Sequence, residues 1–236
     1  MVRKIKKNPM CPSFAKNKKR VIFITGTDTR VGKTIATFAL GVLFQDAGYK
    51  VGVMKPVQCA GRDIQFLSNA LGVHEEMSLL NPYYAKEPLS PHLALKRAKI
   101  KFDKQRVFDA LEILRARYDV VLVEGAGGLM VPLTDNYYMV DLIRDLGAET
   151  IIVSRLGLGA INHTLLTINQ AKAKGLPIKG IIFSTNSLKQ QSVAERTNPM
   201  EIQRLSGVKV IGIIPYLKTL TKINVLTACK KNQIDV

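Results

Sequence analysis

A chain of 236 residues with 47% hydrophobic but only 6% aromatic content, and no Trp, is long enough for one sizeable α/β core of Val, Ile, Leu and Ala and not obviously for two. A formal charge of +17 would point to nucleic acid if spread evenly, yet eight of the 35 basic residues and none of the acidic ones fall within the first 20, leaving 27 basic against 18 acidic, +9, for the rest. Three cysteines (Cys11, Cys59, Cys229) without C-x-x-C spacing support neither a disulfide framework nor a zinc site, and no stretch has the pattern of a secretory signal or the length of a membrane span.

Residues 1–19 are expected to form a basic, disordered tail, and residues 20–236 a single domain in a reduced, cytoplasmic protein. Residues 21–24 are a short apolar strand. They run into Gly26-Thr-Asp-Thr-Arg-Val-Gly32-Lys33-Thr34, after which Ile35, Phe38, Ala39, Val42 and Leu43 recur at helical spacing until Gly48. Strand, glycine-bounded loop and helix form the context in which Gly-Lys-Thr binds phosphate. Backbone N–H groups and the helix dipole hold the anion, Lys33 adds a full charge, and the Thr34 hydroxyl suits a magnesium ion. Five residues, rather than the usual four, separate Gly26 from Gly32. Residues 50–54 form a second strand that ends in Lys55-Pro56. Ligands of open α/β sheets sit outside the carboxyl ends of the strands, so Lys55 is aimed at the same place as Lys33.

Residues 63–71 read as a short helix, 81–90 as a proline-punctuated loop and 91–98 as a basic helical stretch. Asp103 caps a longer helix with Val107, Phe108, Leu111 and Leu114 on one face. Residues 120–123 are a continuous apolar run, hence a buried parallel strand. It delivers Glu124 at its carboxyl end, where a phosphate-loop enzyme keeps its metal-side carboxylate, ahead of Gly125-Ala-Gly-Gly128. Helices at 139–146, 161–174 and 195–205 then alternate with strands at 150–153, 180–183 and 208–214. The expected fold is therefore α/β, a P-loop NTPase-like parallel sheet with helices on both faces. Histidines 74, 92 and 163 lack metal-ligand spacing, and no G-x-S-x-G signals acyl chemistry.

Taken together, Gly26 to Thr34 with its extra residue, Lys55-Pro-Val57, Asn81-Pro-Tyr83, Glu87-Pro-Leu-Ser-Pro-His92, Glu124 to Gly128 with Pro132-Leu133, Leu158-Gly-Ala-Ile-Asn-His163 and Gly212-Ile-Ile-Pro215 resemble the ATP-dependent dethiobiotin synthetases of biotin biosynthesis. The resemblance covers residues 21 to 217 in the family's order. It implies ATP and Mg2+ as cofactors, 7,8-diaminopelargonate and CO2 as substrates, and a homodimer without nucleic-acid or membrane partners. Lys33, Lys55 and Thr29 then match catalytic positions, and Thr34, Asp63 and Glu124 the magnesium ligands. Asp28, Thr29, Arg30, Val31, Gly32, Lys33 and Thr34 would hold the nucleotide's phosphates, with Ser184, Asn186, Pro215 and Tyr216 near its base. Lys55, Cys59, Gly127, Gly128 and Asn162 match substrate-binding positions, Asn162 reaching the substrate's carboxylate tail across a dimer interface.

The chain departs from the family pattern in places. Cys59 stands where the family has Ser or Thr, the 55–63 segment is shorter, Arg30 fills a position often held by Glu or Gly, and Ser184 replaces an adenine-reading Asn. Other classes share the loop. A partition-type ATPase carries a signature lysine near the loop's start, where Asp28 stands here; a cobyrinate-type amide synthetase and a regulatory nucleotide-binding module are the further alternatives.

Overall fold

The structure is a computed structural model that describes residues 19–185 and 192–234, so the expected tail up to residue 18 and Asn186 lie outside the described residues. The first half runs β1 (Arg20–Gly26), α1 (Lys33–Asp46), β2 (Val51–Met54), β3 (Val57–Cys59), α2 (Asp63–Leu71), α3 (Met77–Leu80), β4 (Tyr83–Ala85), α4 (Pro91–Arg97) and α5 (Lys104–Arg117). The second runs β5 (Val120–Gly128), β6 (Pro132–Thr134), β7 (Tyr137–Tyr138), α6 (Met139–Asp145), β8 (Glu149–Arg155), α7 (Ala160–Ala173), β9 (Ile178–Ser184), α8 (Val193–Ser206), β10 (Val210–Ile214) and α9 (Lys222–Lys231).

Six strands form one parallel sheet in the order β10-β9-β8-β1-β5-β2. Ile22, Phe23 and Ile24 of β1 and Val120, Leu122 and Val123 of β5 have no exposed surface, as continuous apolar runs in a sheet covered on both faces require. The alternation is visible in the packing. Ile151 and Val153 of β8 and Ile182 of β9 join the cluster around α1, whereas Ile152, Ile181 and Phe183 join a second cluster with Ala160 and Ile168 of α7 and Ile202 of α8. One strand thus feeds two cores.

The chain leaves β1 toward β2 on one side and later proceeds through β8, β9 and β10 on the other. The order reverses at β1, so the loops after β1 and β8 diverge and open a crevice at the carboxyl edge. Everything functional below hangs on that edge.

The expected loop at 81–90 contains β4, which pairs in parallel with β3 as a separate two-stranded ribbon. Each has three residues, too few for alternation to register in sequence. The expected strand at 208–214 starts at Val210, because Gly207, at φ 69, is still turning the chain out of α8. Asp103 does cap its helix, its carboxylate accepting from the Gln105 N–H at 2.9 Å.

Candidate nucleotide and metal site

The loop after β1 is held in shape by two glycines. A Cβ on Gly26 would lie 2.7 Å from the Asp28 carbonyl oxygen and 3.0 Å from Lys33 Nζ, so only a residue without a side chain lets the loop fold back over the strand. Gly32, at φ 98, is the cap of α1, and a Cβ there would meet Ser184 Oγ at 2.5 Å. No side chain caps α1 and no acid stands in its first turn. Its first N–H groups therefore remain available to an anion.

Lys33 is buried, and its Nζ donates to the Asp28 carbonyl at 2.8 Å across the concavity it helps form. Burial pulls its ammonium from 10.5 down to about 8; the Glu124 carboxylate works against this shift and the Lys55 charge works with it. Asp28, Thr29 and Arg30 are exposed at the loop's crest, where the Asp28 carboxylate accepts from the Thr29 N–H at 2.7 Å and Arg30 takes a left-handed conformation, φ 56. Val31 is buried beneath them.

Beside the loop lies a charge cluster. Lys55 and Glu124 are 4% and 1% exposed, which for charged groups demands partners. Lys55 Nζ donates to Asp63 Oδ2 at 2.5 Å and to Glu124 Oε1 at 2.6 Å, and Thr34 Oγ1 donates to that same Glu124 oxygen at 3.0 Å. Burial works to lower the Lys55 ammonium, but Glu124 and Asp63 together hold it above its ordinary value. Glu124 Oε2 is buried with no hydrogen-bond partner. Two carboxylates, a threonine hydroxyl and a spare buried acceptor make a hard-oxygen set that fits a magnesium ion, which keeps several of its waters and takes few protein ligands. Thr34, Asp63 and Glu124, expected as metal ligands from three distant stretches, are thus brought together around Lys55.

The other expected substrate residues divide. Gly127 and Gly128 continue β5 beyond Glu124; Gly128 pairs with Gly26, and Gly127, at φ 67, faces the Thr29 methyl. Cys59 ends β3 half-buried, burial pushing its thiol up against the opposing effect of Lys55. Asn162 is exposed in the first turn of α7 and makes no hydrogen bond to the cluster among the described residues. Ser184, Pro215 and Tyr216 line a cavity of about 230 Å3 with Arg30, Val31 and Gly32. Thr185 Oγ1 accepts from the Tyr216 N–H at 2.7 Å and ties the end of β9 to the cavity's far wall. A larger groove, about 510 Å3, between residues 101–104 and the Thr134–Tyr137 turn includes none of the loop, and its Lys104 is committed to Asp145.

Three supporting residues were given no role by sequence reasoning. Asn81 Nδ2 donates to the Lys55 carbonyl at 2.6 Å and to the Tyr83 carbonyl at 3.0 Å, fixing the backbone that carries the lysine. Its place beside a proline was the available signal. Gln58, 1% exposed, accepts from the Ile64 N–H at 3.0 Å and donates to the Gly61 carbonyl at 3.1 Å, so it orients the start of α2, where Asp63 sits. Arg155, at the end of β8, lines the cavity beside Ser184.

The AAA domain family matches residues 20–224. The chain is 40% identical over 226 residues to the ATP-dependent dethiobiotin synthetase BioD of Thermodesulfovibrio yellowstonii, covering 89% of this chain and 94% of that protein. It is 38% identical over 200 residues to the protein of the same name from Methanocaldococcus jannaschii, covering 82% and 93%. Among solved structures it resembles the septum site-determining protein MinD with Mg-ADP from Pyrococcus horikoshii OT3, at TM-score 0.58, 19% identity and 89% and 86% coverage. A ParA family ATPase from Chlorobium tepidum TLS gives 0.53, 19%, 92% and 95%. At such identities these two establish the parallel-sheet fold alone.

Proposed function

The chain belongs to the ATP-dependent dethiobiotin synthetase family, and from that premise we propose that it closes the cyclic urea of dethiobiotin from 7,8-diaminopelargonate and CO2, consuming ATP with magnesium and releasing ADP and phosphate. The observation that carries this reading is the convergence of Lys33, Lys55, Thr34 and Glu124 at the carboxyl edge of β1, β2 and β5.

One amine of the substrate takes up CO2 to form a carbamate. A carbamate oxygen then attacks the γ-phosphorus, the new O–P bond forming as the bond to ADP breaks. The second amine attacks the carbonyl carbon, expels phosphate and closes the ring. The difficulty is electrostatic, since a carbamate and a polyphosphate must be brought into contact. Lys33 and Lys55 lower that barrier by bringing positive charge to the transferred group, in a site buried enough to strengthen it. The N–H groups at the start of α1 hold the phosphates in line, and the Thr29 hydroxyl and the Gly127–Gly128 backbone border the carbamate. Thr34, Asp63 and Glu124 would hold magnesium, which when bound neutralises phosphate charge. Ser184, Pro215 and Tyr216 would border the base. The enzyme is read as a cytoplasmic homodimer, in which Asn162 of one copy completes the substrate site of the other. No helix among the described residues is long and apolar enough to cross a membrane.

Incubation with ATP, magnesium, bicarbonate and the diamine is expected to yield dethiobiotin and phosphate in equal amounts. Phosphate release that is independent of the diamine, with no dethiobiotin, would overturn the assignment.

A further inference from the structure

Lys55 Nζ sits within 2.6 Å of one oxygen from each of the two carboxylates offered to magnesium, and Thr34 donates to the same Glu124 oxygen. A magnesium ion binds its oxygen ligands at about 2.0–2.1 Å. It cannot approach both oxygens that closely while a buried ammonium holds them, without two cations in mutual contact. The charges of the cluster also balance without a metal: Lys33 and Lys55 against Asp63 and Glu124. Adding a bare dication to this buried group leaves a surplus of two positive charges. Adding it together with a nucleoside triphosphate removes that surplus, because the phosphates bring more negative charge than the ion brings positive. An expelled Lys55 ammonium needs an anion, and the phosphate chain arriving over Gly32 and Lys33 is the one that the site is shaped to receive.

We propose that Lys55 is the resident counter-ion of the metal site, filling it between Asp63 and Glu124 until metal and polyphosphate arrive together and displace it toward the anionic substrate. Lys55 is then a positioning residue before it is a catalytic one. Nucleotide strengthens metal uptake, because the competitor leaves more readily when it gains a new partner, whereas metal alone must displace it by mass action. A site closed nine-tenths of the time or more loses at least roughly tenfold in apparent affinity. This exchange rests on the magnesium reading above. Its test needs neither substrate nor turnover, so failure to form dethiobiotin and failure of the exchange are separate results.

The probe is Mn2+ alone, followed by water-proton relaxation on the full chain without nucleotide. Wild type is expected to bind it weakly, Lys55→Met at least tenfold more tightly, and Lys55→Arg, which keeps the charge, as weakly as wild type. Equal affinity in wild type and Lys55→Met would overturn the proposal, as would tight binding by Lys55→Arg. Should Lys55→Met not fold, wild type carries the test through reductive methylation of Lys55 read by mass spectrometry. Labelling is expected to be slow in the free protein and faster at Mn2+ concentrations that saturate the relaxation signal; an unchanged rate would overturn it.

Discussion

Lys33→Met should stabilise the protein while removing its ability to bind nucleotide. Burial holds the Lys33 ammonium at about 8 rather than 10.5, so the free protein maintains a charge that its surroundings disfavour. At about 1.4 kcal/mol for each pH unit, that difference amounts to about 3 kcal/mol near neutral pH. Methionine fills a similar volume without the charge, but it leaves the Asp28 carbonyl without its donor, a loss of about 1 kcal/mol. The net expectation is about 2 kcal/mol of added stability, or roughly 4–8 °C in melting temperature for a chain of this size. The pH dependence has a definite sign. A lysine whose value is lower in the folded state releases its proton first on folding, so unfolding takes up a proton between pH 8 and 10.5. Wild-type stability relative to the variant therefore climbs across that window, and the variant's advantage is full below pH 8 and gone above 10.5. Calorimetric melting of both proteins from pH 7 to 10.5 measures the gap. A variant that melts at or below wild type at pH 7, or a gap that stays constant with pH, would refute the reasoning.

Glu124→Gln keeps the shape of the side chain but removes the charge, and should raise the magnesium concentration for half-maximal turnover at least tenfold, about 1.4 kcal/mol, while also lowering the melting temperature because the buried Lys55 loses a charged partner. An unchanged half-saturation would assign Glu124 to structure. Ser184 offers one hydroxyl, and that hydroxyl packs on Gly32, so GTP or CTP should support ring closure to within roughly tenfold of ATP, the low end of the 1–3 kcal/mol carried by a bidentate base contact. Steady-state kinetics with a preference for ATP above roughly a hundredfold would contradict weak base reading. Removing residues 1–18 should leave kcat/KM and melting temperature unchanged, because the apolar strand pattern begins only at Val21. A large fall in either would show that those residues contribute to the domain.

The sheet was legible because its strands are buried on both faces. Residues 120–123 and 151–153 are apolar without interruption, and no helix exposed on one side would be. The phosphate loop was legible because glycine spacing encodes backbone shape directly. Lys55 was only half legible: its position after a strand aimed it at the crevice, but its capture by Asp63 and Glu124 depends on residues 8 and 69 positions away, and pairing at that range leaves no local pattern. The ribbon of β3 and β4 was missed for its brevity. The close approach of Ser184 to Gly32 was not legible, because the two lie more than 150 residues apart and their contact leaves no local pattern.

That ribbon divides the labour of the site between two bodies. Thr34, Lys55 and Glu124 are rooted at the carboxyl edge of the six-stranded sheet and the helix that leaves it, whereas Asp63 opens α2 after the β3 segment, which Gln58 ties to the start of that helix and Asn81 braces. The ion pair of Lys55 with Asp63 is therefore also a clasp between the main sheet and the arm that carries α2. The 55–63 segment, expected to be shorter than the family pattern, lies outside every strand of the main sheet. The arm need only return Asp63 to the lysine. A change of length in this one segment would thus move the substrate-facing wall while leaving the phosphate-handling half where it is.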